Sequence, residues 1–370
     1  MTTDIRLGMI GCGQISERYF EWARMLRGVR FVATCAAHMA SAEYAAGKYG
    51  CPKWYDDHRA LLDDPDVDGV VIATPHALHA GQAFDAISAG KHVLLEKPMA
   101  TRWEDAVRLV NAAKTASVTF FPLPFLAYPE LQCARRYMRE DVVGKIVAAE
   151  AHLSLPGPSR SNWYYRKEAE GGAMLDTMVY ALSDLACVLG PASRVTGLVN
   201  TLVPRRKTGD GGRVRTDVDD NVSLLLEYAS GQQAVVRSCW APAVFRRATI
   251  LYGREGTIFL REGGKRVVIQ SKLGPVRGGY HIEFMGLDDC YEIVPRPIEP
   301  EEDIMGHFLD AVRSGRPAVS NGALALHVTE QMMKGYASSS TRQTLERESS
   351  FGLMWDRQPG IMDLSGPEFL

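Results

Sequence analysis

An apolar run, Arg6-Leu7-Gly8-Met9-Ile10, enters a tight glycine turn, Gly11-Cys12-Gly13-Gln14-Ile15-Ser16, and a helical pattern leaves it. A strand, a turn and a helix in that order make a cradle for phosphate. Gly11 can take the backbone angles of a sharp turn, and Gly13 lets the backbone approach a pyrophosphate with no Cβ in the way. The helix N-terminus behind them, at Gln14 and Ile15, adds N–H groups and partial positive charge. Ser16 keeps the third position small, where a dinucleotide fingerprint usually has Gly or Ala. Taken alone, this run serves equally well as an ordinary glycine turn. Its place at the head of a strand–helix alternation favours the dinucleotide.

The alternation continues. Tyr19, Trp22, Ala23 and Leu26 recur at i, i+3, i+4 and i+7, the apolar stripe of a helix lying on a sheet. Strands are predicted over Val29–Ala36, Val67–Thr74 and Lys91–Glu96, with a helix over Ala40–Tyr49, a short acidic turn after it and another helix opening near His76. The end of the second strand matters, because folds that prefer the unphosphorylated cofactor place a carboxylate there for the adenosine ribose. Here the chain reads Cys35-Ala36-Ala37-His38. A 2′-phosphate is not repelled, and His38 and Ser41 can hydrogen-bond it, so a modest preference for NADP over NAD is expected. Thr74, Pro75, His76 and His79 lie at the carboxyl end of the third strand, the side on which such sheets bind ligands. The two histidines either touch the cofactor or cap the helix. The fourth strand ends in Glu96-Lys97-Pro98, and Thr101-Arg102-Trp103-Glu104 reads as a capping box. A lysine held between an apolar strand end and a proline is a poor surface charge. In the crevice of the glycine turn, Lys97 is a candidate catalytic group.

Composition narrows the partners. At 370 residues the chain can form two cores, and a net charge of −2 with no run of Lys and Arg argues against nucleic acid. A small neutral or polar ligand fits better. The seven cysteines contain no CxxC pair, so neither a zinc site nor a disulfide framework is expected, and no metal. The N-terminal segment lacks the regions of a signal peptide, and no apolar run has membrane-spanning length, so a soluble, cytoplasmic protein is expected with no membrane partner.

The glycine turn, the Thr74-Pro75 loop and Glu96-Lys97-Pro98, in this order and spacing, make the chain resemble the Gfo/Idh/MocA oxidoreductases. The resemblance continues in Ser161-Asn162-Trp163, Gly171-Gly172-Ala173-Met174-Leu175-Asp176, Val218-Asp219-Asp220-Asn221 and Gly253-Arg254-Glu255-Gly256-Thr257, roughly as far as Arg342. It implies an α/β protein: an N-terminal Rossmann NAD(P)-binding domain over 1–123, then an α+β domain over 124–370 with a large open, mostly antiparallel sheet. Oligomerising usually buries the outer face of that sheet, so a homodimer or homotetramer is expected. The residues agree with the second domain. Ile146–Leu155, Val195–Val203, Val222–Tyr228, Gln233–Trp240, Thr249–Tyr252, Thr257–Leu260 and Arg266–Ile269 are strand-like, with too few helices to cover both faces of a sheet. Pro204–Arg215 is a basic, Gly-rich stretch best read as a solvated hairpin tip, and Leu273–Tyr280 either hangs over the site or is surface. Helical patterns over Glu302–Ser314 and Ala323–Ser340 are expected to pack back against the sheet, and the last two dozen residues carry no signal.

Between Ala173 and Leu189 a helix is predicted, which puts Asp176 and Tyr180 on one face. The residues alone would make Asp176 a cap and Tyr180 core. The resemblance places both on the family's acid–base pair and implies Asn162, Trp163 and Arg166 as further substrate-binding residues. Among the cofactor-binding positions it implies Gly11, Gly13, Gln14, Ile15, Ala36, Ala37, His38, Thr74, Pro75, His76, His79, Glu96, Lys97 and Pro98. Three departures stand out. Most members carry His where this chain has Tyr180 and Gly where it has Met178, and the usual Arg shortly before Pro129 is missing from Phe120–Pro129. Tyrosine at this place resembles the branch containing glucose–fructose oxidoreductase and dimeric dihydrodiol dehydrogenase; Met178 narrows the pocket.

The expected activity is therefore hydride transfer between NADP or NAD and a hydroxyl or keto carbon of a sugar, polyol or related cyclic alcohol. Tyr180 would exchange the hydroxyl proton, Lys97 would hydrogen-bond the same oxygen and favour the phenolate, and Asp176 would orient the substrate. Two other classes stay open. One is a non-catalytic nucleotide- and sugar-sensing protein, against which the presence of Lys97, Asp176 and Tyr180 argues. The other is an NAD-dependent glycosidase, which would regenerate its cofactor in each turnover.

Overall fold

The computed structural model describes residues 4–124, 129–159, 161–207, 212–242, 245–260, 266–295, 297, 299–315 and 322–351. Residues 125–128 of the Phe120–Pro129 stretch, 208–211 of Pro204–Arg215 and most of the C-terminal tail lie outside the described residues. Two compact units emerge, one built on Met1–Phe125 and Glu299–Thr329, the other on Leu126–Ile298 and Glu330–Leu353. The chain thus returns to its first unit after tracing most of the second.

In the first unit, strands β1 (Ile5–Ile10), β2 (Val29–Cys35), β3 (Lys53–Tyr55), β4 (Gly69–Ile72), β5 (His92–Leu95) and β6 (Phe120–Pro122) form one parallel sheet in the order β3-β2-β1-β4-β5-β6. Helices α1 (Gln14–Met25), α2 (Met39–Tyr49), α3 (His58–Leu62), α4 (His76–Ser88) and α5 (Trp103–Thr115) make the crossovers. Leu7, Met9, Ile72, Leu94 and Leu95 are buried in the strands, as expected where helices cover both faces of a parallel sheet. Tyr19, Phe20 and Ala23 form the buried stripe of α1. The sequence pattern predicts neither β3 nor β6, because three residues are too few to show a period. The N-cap of α5 falls on Arg102 rather than Thr101, so the expected capping box is shifted out of frame.

A further correction concerns the helix at Glu302–Ser314. The observed helix, α8 (Ile304–Ser314), belongs to the first unit and not to the sheet of the second. Phe308 meets Phe121 edge-on, and the Arg313 guanidinium donates to the carbonyls of Arg27 and Gly28 at 2.8 and 2.9 Å. An apolar stripe shows that a helix is covered, not by what.

The second unit opens with α6 (Pro129–Arg139), β7 (Ile146–Ser154), a π-helical turn (Met174–Met178) and α7 (Val179–Leu189). Its strands continue with β8 (Arg194–Asn200), the small hairpin β9 (Arg205–Lys207) and β10 (Arg213–Arg215), β11 (Asn221–Glu227), β12 (Gln233–Cys239), β13 (Arg246–Gly253), β14 (Gly256–Leu260), β15 (Val267–Ser271), β16 (Tyr280–Phe284) and β17 (Leu287–Ile293). Helix α9 (Gly322–Thr341), whose residues from Glu330 onward belong to this unit, is followed by β18 (Leu345–Glu346). Ten of these strands form one sheet, β16-β17-β15-β14-β13-β7-β12-β11-β8-β18, antiparallel at every junction except β7 with β12. The expected seven strands are all present. The hairpin β16–β17 was not among them, although Met285-Gly286, with φ of 52° and 74°, is a two-residue turn between alternating runs.

Helix α7 packs on β7, β12 and β13. Register aligns Leu225, Val235, Glu150, Ile250, Phe259 and Val268 into one row across six strands. In that row Leu225 and Val235 are 40% and 51% exposed. The helical stretch Lys167–Leu189 has the length and composition of a membrane span, yet 89% of its apolar 18-residue window is buried, as in a core helix.

Candidate active site

At the carboxyl end of β1 the strand order reverses, since β1 lies between β2 and β4. The glycine turn leaves β1 at this switch point, where doubly wound sheets hold their ligands. Its two glycines are needed for different reasons. Gly11 has φ +96°, and a Cβ there would meet the Ala73 carbonyl oxygen at 2.6 Å and Thr74 Cγ2 at 2.8 Å. Packing inside the protein therefore demands it. A Cβ on Gly13 would meet no protein atom within 4 Å, so the space beside it is of the kind a phosphate would use. Ser16, the departure from Gly or Ala, is buried and closes the turn, its hydroxyl donating to the Gly13 carbonyl at 2.5 Å. The first-turn N–H groups of α1, at Gln14 and Ile15, lack intrahelical acceptors by construction. These residues fit a dinucleotide pyrophosphate.

Ala36 and Ala37 follow β2, and His38 is the extended N-cap residue of α2. The Ala36 N–H donates to the Tyr55 carbonyl at 3.2 Å, which brings the end of β3 alongside. Asp56 and Asp57 come next in the chain. Register pairs Cys35 with Tyr55, so carboxylates are near this edge after all; burial chiefly, then Cys12 and these two aspartates, pushes the Cys35 thiol up to about 12. They arrive on a strand the sequence pattern does not reveal. One oxygen of Asp57 already accepts the Arg59 N–H at 2.9 Å.

Beyond β4, Thr74 donates to Gln82 Oε1 at 2.7 Å and Pro75 is the N-cap residue of α4. His79 is fully buried, with Nδ1 2.8 Å from the Pro98 carbonyl and Nε2 2.8 Å from the Thr74 carbonyl. Burial holds its pKa below the ordinary imidazole value against the pull of both carbonyls. Its ring thus sits between the two crevice loops and, as a neutral imidazole, donates to one of the two carbonyls. Buried His76 meets it edge-on, ring centroids 5.8 Å apart. Glu96 is likewise an anchor, accepting the Tyr19 hydroxyl at 2.6 Å and the Lys97 N–H at 3.1 Å. The Tyr19 bond fastens α1, behind the glycine turn, to the strand end carrying half-buried Lys97 and buried Pro98.

In the second unit, Asn162, Trp163 and Arg166 belong to or flank a 3-10 turn, Asn162–Tyr165, where Trp163 stacks on Tyr164 at 3.7 Å. The Gly171-Gly172 pair fits against it. A Cβ on Gly171 would lie 2.0 Å from the Tyr164 carbonyl oxygen, and the Gly172 N–H donates to that oxygen at 3.0 Å. The chain then enters a π-helical turn instead of the regular helix predicted from Ala173. Such turns occur often at functional sites. Asp176 lies in it and is buried; Tyr180, one residue into α7, is half-buried. Asp219, of the Val218–Asn221 stretch that carries the resemblance, and Tyr336, which the sequence does not single out, hold this turn. Asp219 accepts the Met174 N–H at 2.8 Å and the Tyr336 hydroxyl at 2.6 Å, and its carboxylate fills the space a side chain on Gly172 would need. Among the described residues no group of three or more His, Cys, Asp or Glu could hold a metal.

A reversed parallel sheet with a glycine turn at the switch point, followed by a large open sheet, defines a two-unit dinucleotide-binding oxidoreductase. Residues 5–123 match the model of the oxidoreductase family with an NAD-binding Rossmann fold, and residues 131–259 match the GFO/IDH/MocA C-terminal domain. The chain belongs to the Gfo/Idh/MocA oxidoreductase family. It is 33% identical to dTDP-3,4-didehydro-2,6-dideoxy-alpha-D-glucose 3-reductase of Streptomyces violaceoruber, over 69% of this chain and 72% of that one. Identity to levoglucosan dehydrogenase of Pseudarthrobacter phenanthrenivorans is 28%, over 62% of this chain and 65% of that relative's length. A solved levoglucosan dehydrogenase in complex with NADH and L-sorbose shares the fold at TM-score 0.81 and 21% identity, covering 94% of this chain and 99% of that one.

Proposed function

We propose that the protein transfers hydride between a nicotinamide cofactor and a hydroxyl or keto carbon of a sugar, polyol or related cyclic alcohol. The observation that carries this reading is the locked contact between the Asn162–Tyr165 turn and Gly171-Gly172, because it fixes the start of the helical stretch that bears Asp176 and Tyr180 against the turn that bears Asn162 and Trp163. The bound nicotinamide supplies the hydride chemistry. Gly13 and the first turn of α1 hold its pyrophosphate. Tyr180 exchanges the proton of the reacting hydroxyl, Lys97 hydrogen-bonds that oxygen, and Asp176 orients the ring of the substrate. The relatives act, by name, on a deoxysugar nucleotide and on levoglucosan, which supports a cyclic carbohydrate alcohol here.

The absent carboxylate at Ala36 supports a preference for NADP, and Asp56 and Asp57 beside that edge keep the preference modest. The partly exposed row on the large sheet supports a homodimer or homotetramer through that face. The test is a panel of sugars and polyols with NAD and NADP, followed by absorbance of the reduced nicotinamide. Net reduction in proportion to substrate consumed is expected. Substrate consumption with no net reduction points to a glycosidase, and tight nucleotide binding with no turnover points to a sensor.

A further inference from the structure

Tyr180 has a cation against its ring from within its own unit. The Arg247 guanidinium carbon lies 5.9 Å from the centroid of the Tyr180 ring. Arg247 is on β13 in register with Leu153 of β7, on the same face as buried Thr249 and Leu251. Its Nη2 donates to both carboxylate oxygens of Asp184, at 3.0 and 2.9 Å, and the Thr249 hydroxyl donates to Asp184 Oδ2 at 3.2 Å. Asp184 is buried one helical turn beyond Tyr180 on α7. The same helix therefore delivers the phenol and the carboxylate that aims the guanidinium at it. A buried ion pair is by itself weak evidence for stability, and apolar residues of similar volume often serve as well. The pair's place beside the one phenol read as a proton carrier gives it a different use.

Other charged groups lie around α7 among the described residues. Glu130 on α6 is buried close enough to feel both Arg247 and Asp184, and Arg135 on α6 points to Cys187 at 3.9 Å. Asp176 lies in the π-helical turn. The inward residues of β7 and β12, Ala149, Ala151, Leu153, Val236 and Ser238, carry no charge.

We propose that Arg247, anchored by Asp184, is the positioning residue for Tyr180, holding its ring in place and keeping a positive charge beside its phenol. The proposal rests on the reading of Tyr180 as the proton-exchanging group. Lys97 comes from the other unit, whereas Arg247 is packed with Tyr180 in one unit. The guanidinium charge favours the phenolate and is partly offset by the Asp184 carboxylate, so removing Arg247 alone delays the phenol's deprotonation to higher pH.

The test compares wild type, Arg247→Lys, Arg247→Met and the double variant Asp184→Asn/Arg247→Met, which leaves no unpaired Asp184 to impair folding. kcat and KM are measured across pH with nicotinamide cofactor and a polyol that the enzyme oxidises. In parallel, 3-fluorotyrosine is incorporated and the Tyr180 resonance, assigned with Tyr180→Phe, is titrated by fluorine NMR. Arg247→Met should shift the rising limb of kcat upward by about one pH unit, a loss of about tenfold at neutral pH, with cofactor KM unchanged, and the double variant, which also removes the Asp184 negative charge, should shift it by less. Arg247→Lys should keep most of the wild-type profile. An unshifted profile together with an unmoved Tyr180 titration overturns the proposal. A moved titration in a protein whose Tyr180→Phe variant is fully active leaves the Arg247 contact standing and refutes the catalytic reading of Tyr180.

Discussion

Alanine at the two glycines of the first turn should separate folding from cofactor binding. At Gly13, with φ −84°, alanine is sterically free, and its Cβ meets nothing within 4 Å. An alanine N-cap costs several tenths of a kcal/mol relative to glycine, and the loss of unfolded-chain freedom returns about 0.4–1 kcal/mol. The two nearly cancel, so Gly13→Ala should melt within about 0.5 kcal/mol of wild type. Its effect should fall on the dinucleotide, because the methyl group stands where the phosphate must approach. One lost charge-assisted hydrogen bond is worth about 1.5–3 kcal/mol, so the Kd for NADH should rise roughly 10- to 150-fold. Gly11→Ala is the opposite case. The positive φ costs about 1–3 kcal/mol, and the clash with the Ala73 carbonyl forces the strand end to move. A total near 3 kcal/mol should lower the melting temperature by about 6–12 °C. Thermal melts with and without NADH, paired with a fluorescence titration, read both quantities. Wild-type NADH affinity in Gly13→Ala would show that the turn is not the phosphate cradle, and an unperturbed melt for Gly11→Ala would refute the packing argument.

Three further outcomes are expected. Ala36→Asp should shift kcat/KM toward NAD, and a wild-type enzyme clearly faster with NAD would show that Asp56 and Asp57 outweigh the missing carboxylate. Light scattering at micromolar concentration should give a multiple of the 40.8 kDa chain, and the chain mass itself would contradict association through the large sheet. Glu330 is buried, which opposes its ionisation. Hydrogen bonds from Ser349, Lys334 and Glu348 outweigh burial and hold its pKa below the ordinary carboxylate range. A depressed folded-state value stabilises the protein above the unfolded carboxylate pKa, about 4.3, and the gain fades as pH falls through the folded value. Glu330→Gln should therefore be less stable to urea than wild type at neutral pH and nearly equal in acid. A pH-independent difference would assign the loss to packing.

What could be read before folding was the chemistry carried by local pattern. The glycine turn, the strand ends at Thr74 and Lys97 and the Gly171-Gly172 pair are punctuation inside one element or at its edge, and each lies where the pattern predicts. Relations between distant segments were not legible. Asp56 and Asp57 reach the end of β2 only because a three-residue strand pairs there. Asp219 and Tyr336 support the π-helical turn from 45 and more residues away. The turn itself has no period to betray it, since its five residues read as ordinary helix. The apolar stripe of α8 fits either unit equally well, and its Arg313, which binds the carbonyls of Arg27 and Gly28, is unremarkable in sequence. The sequence marks His79 and Glu96 as cofactor positions by where they stand, and the structure adds the hydrogen bonds by which their polar atoms also brace the scaffold.

The central claim is that Tyr180 exchanges the substrate proton, with Lys97 on the same oxygen. An isolated phenol titrates near pH ~10, so little phenolate exists at neutral pH without cationic help. The most direct measurement is kcat for Tyr180→Phe, with NADH affinity measured on the same preparation. The account predicts unchanged NADH binding and a fall in kcat of about 10² to 10⁴, with Lys97→Ala losing at least as much and its remaining activity displaced to higher pH. Near-wild-type turnover in Tyr180→Phe, with KM alone altered, would contradict it, making Tyr180 a wall of the pocket and sending the proton through Lys97, Asp176 or water.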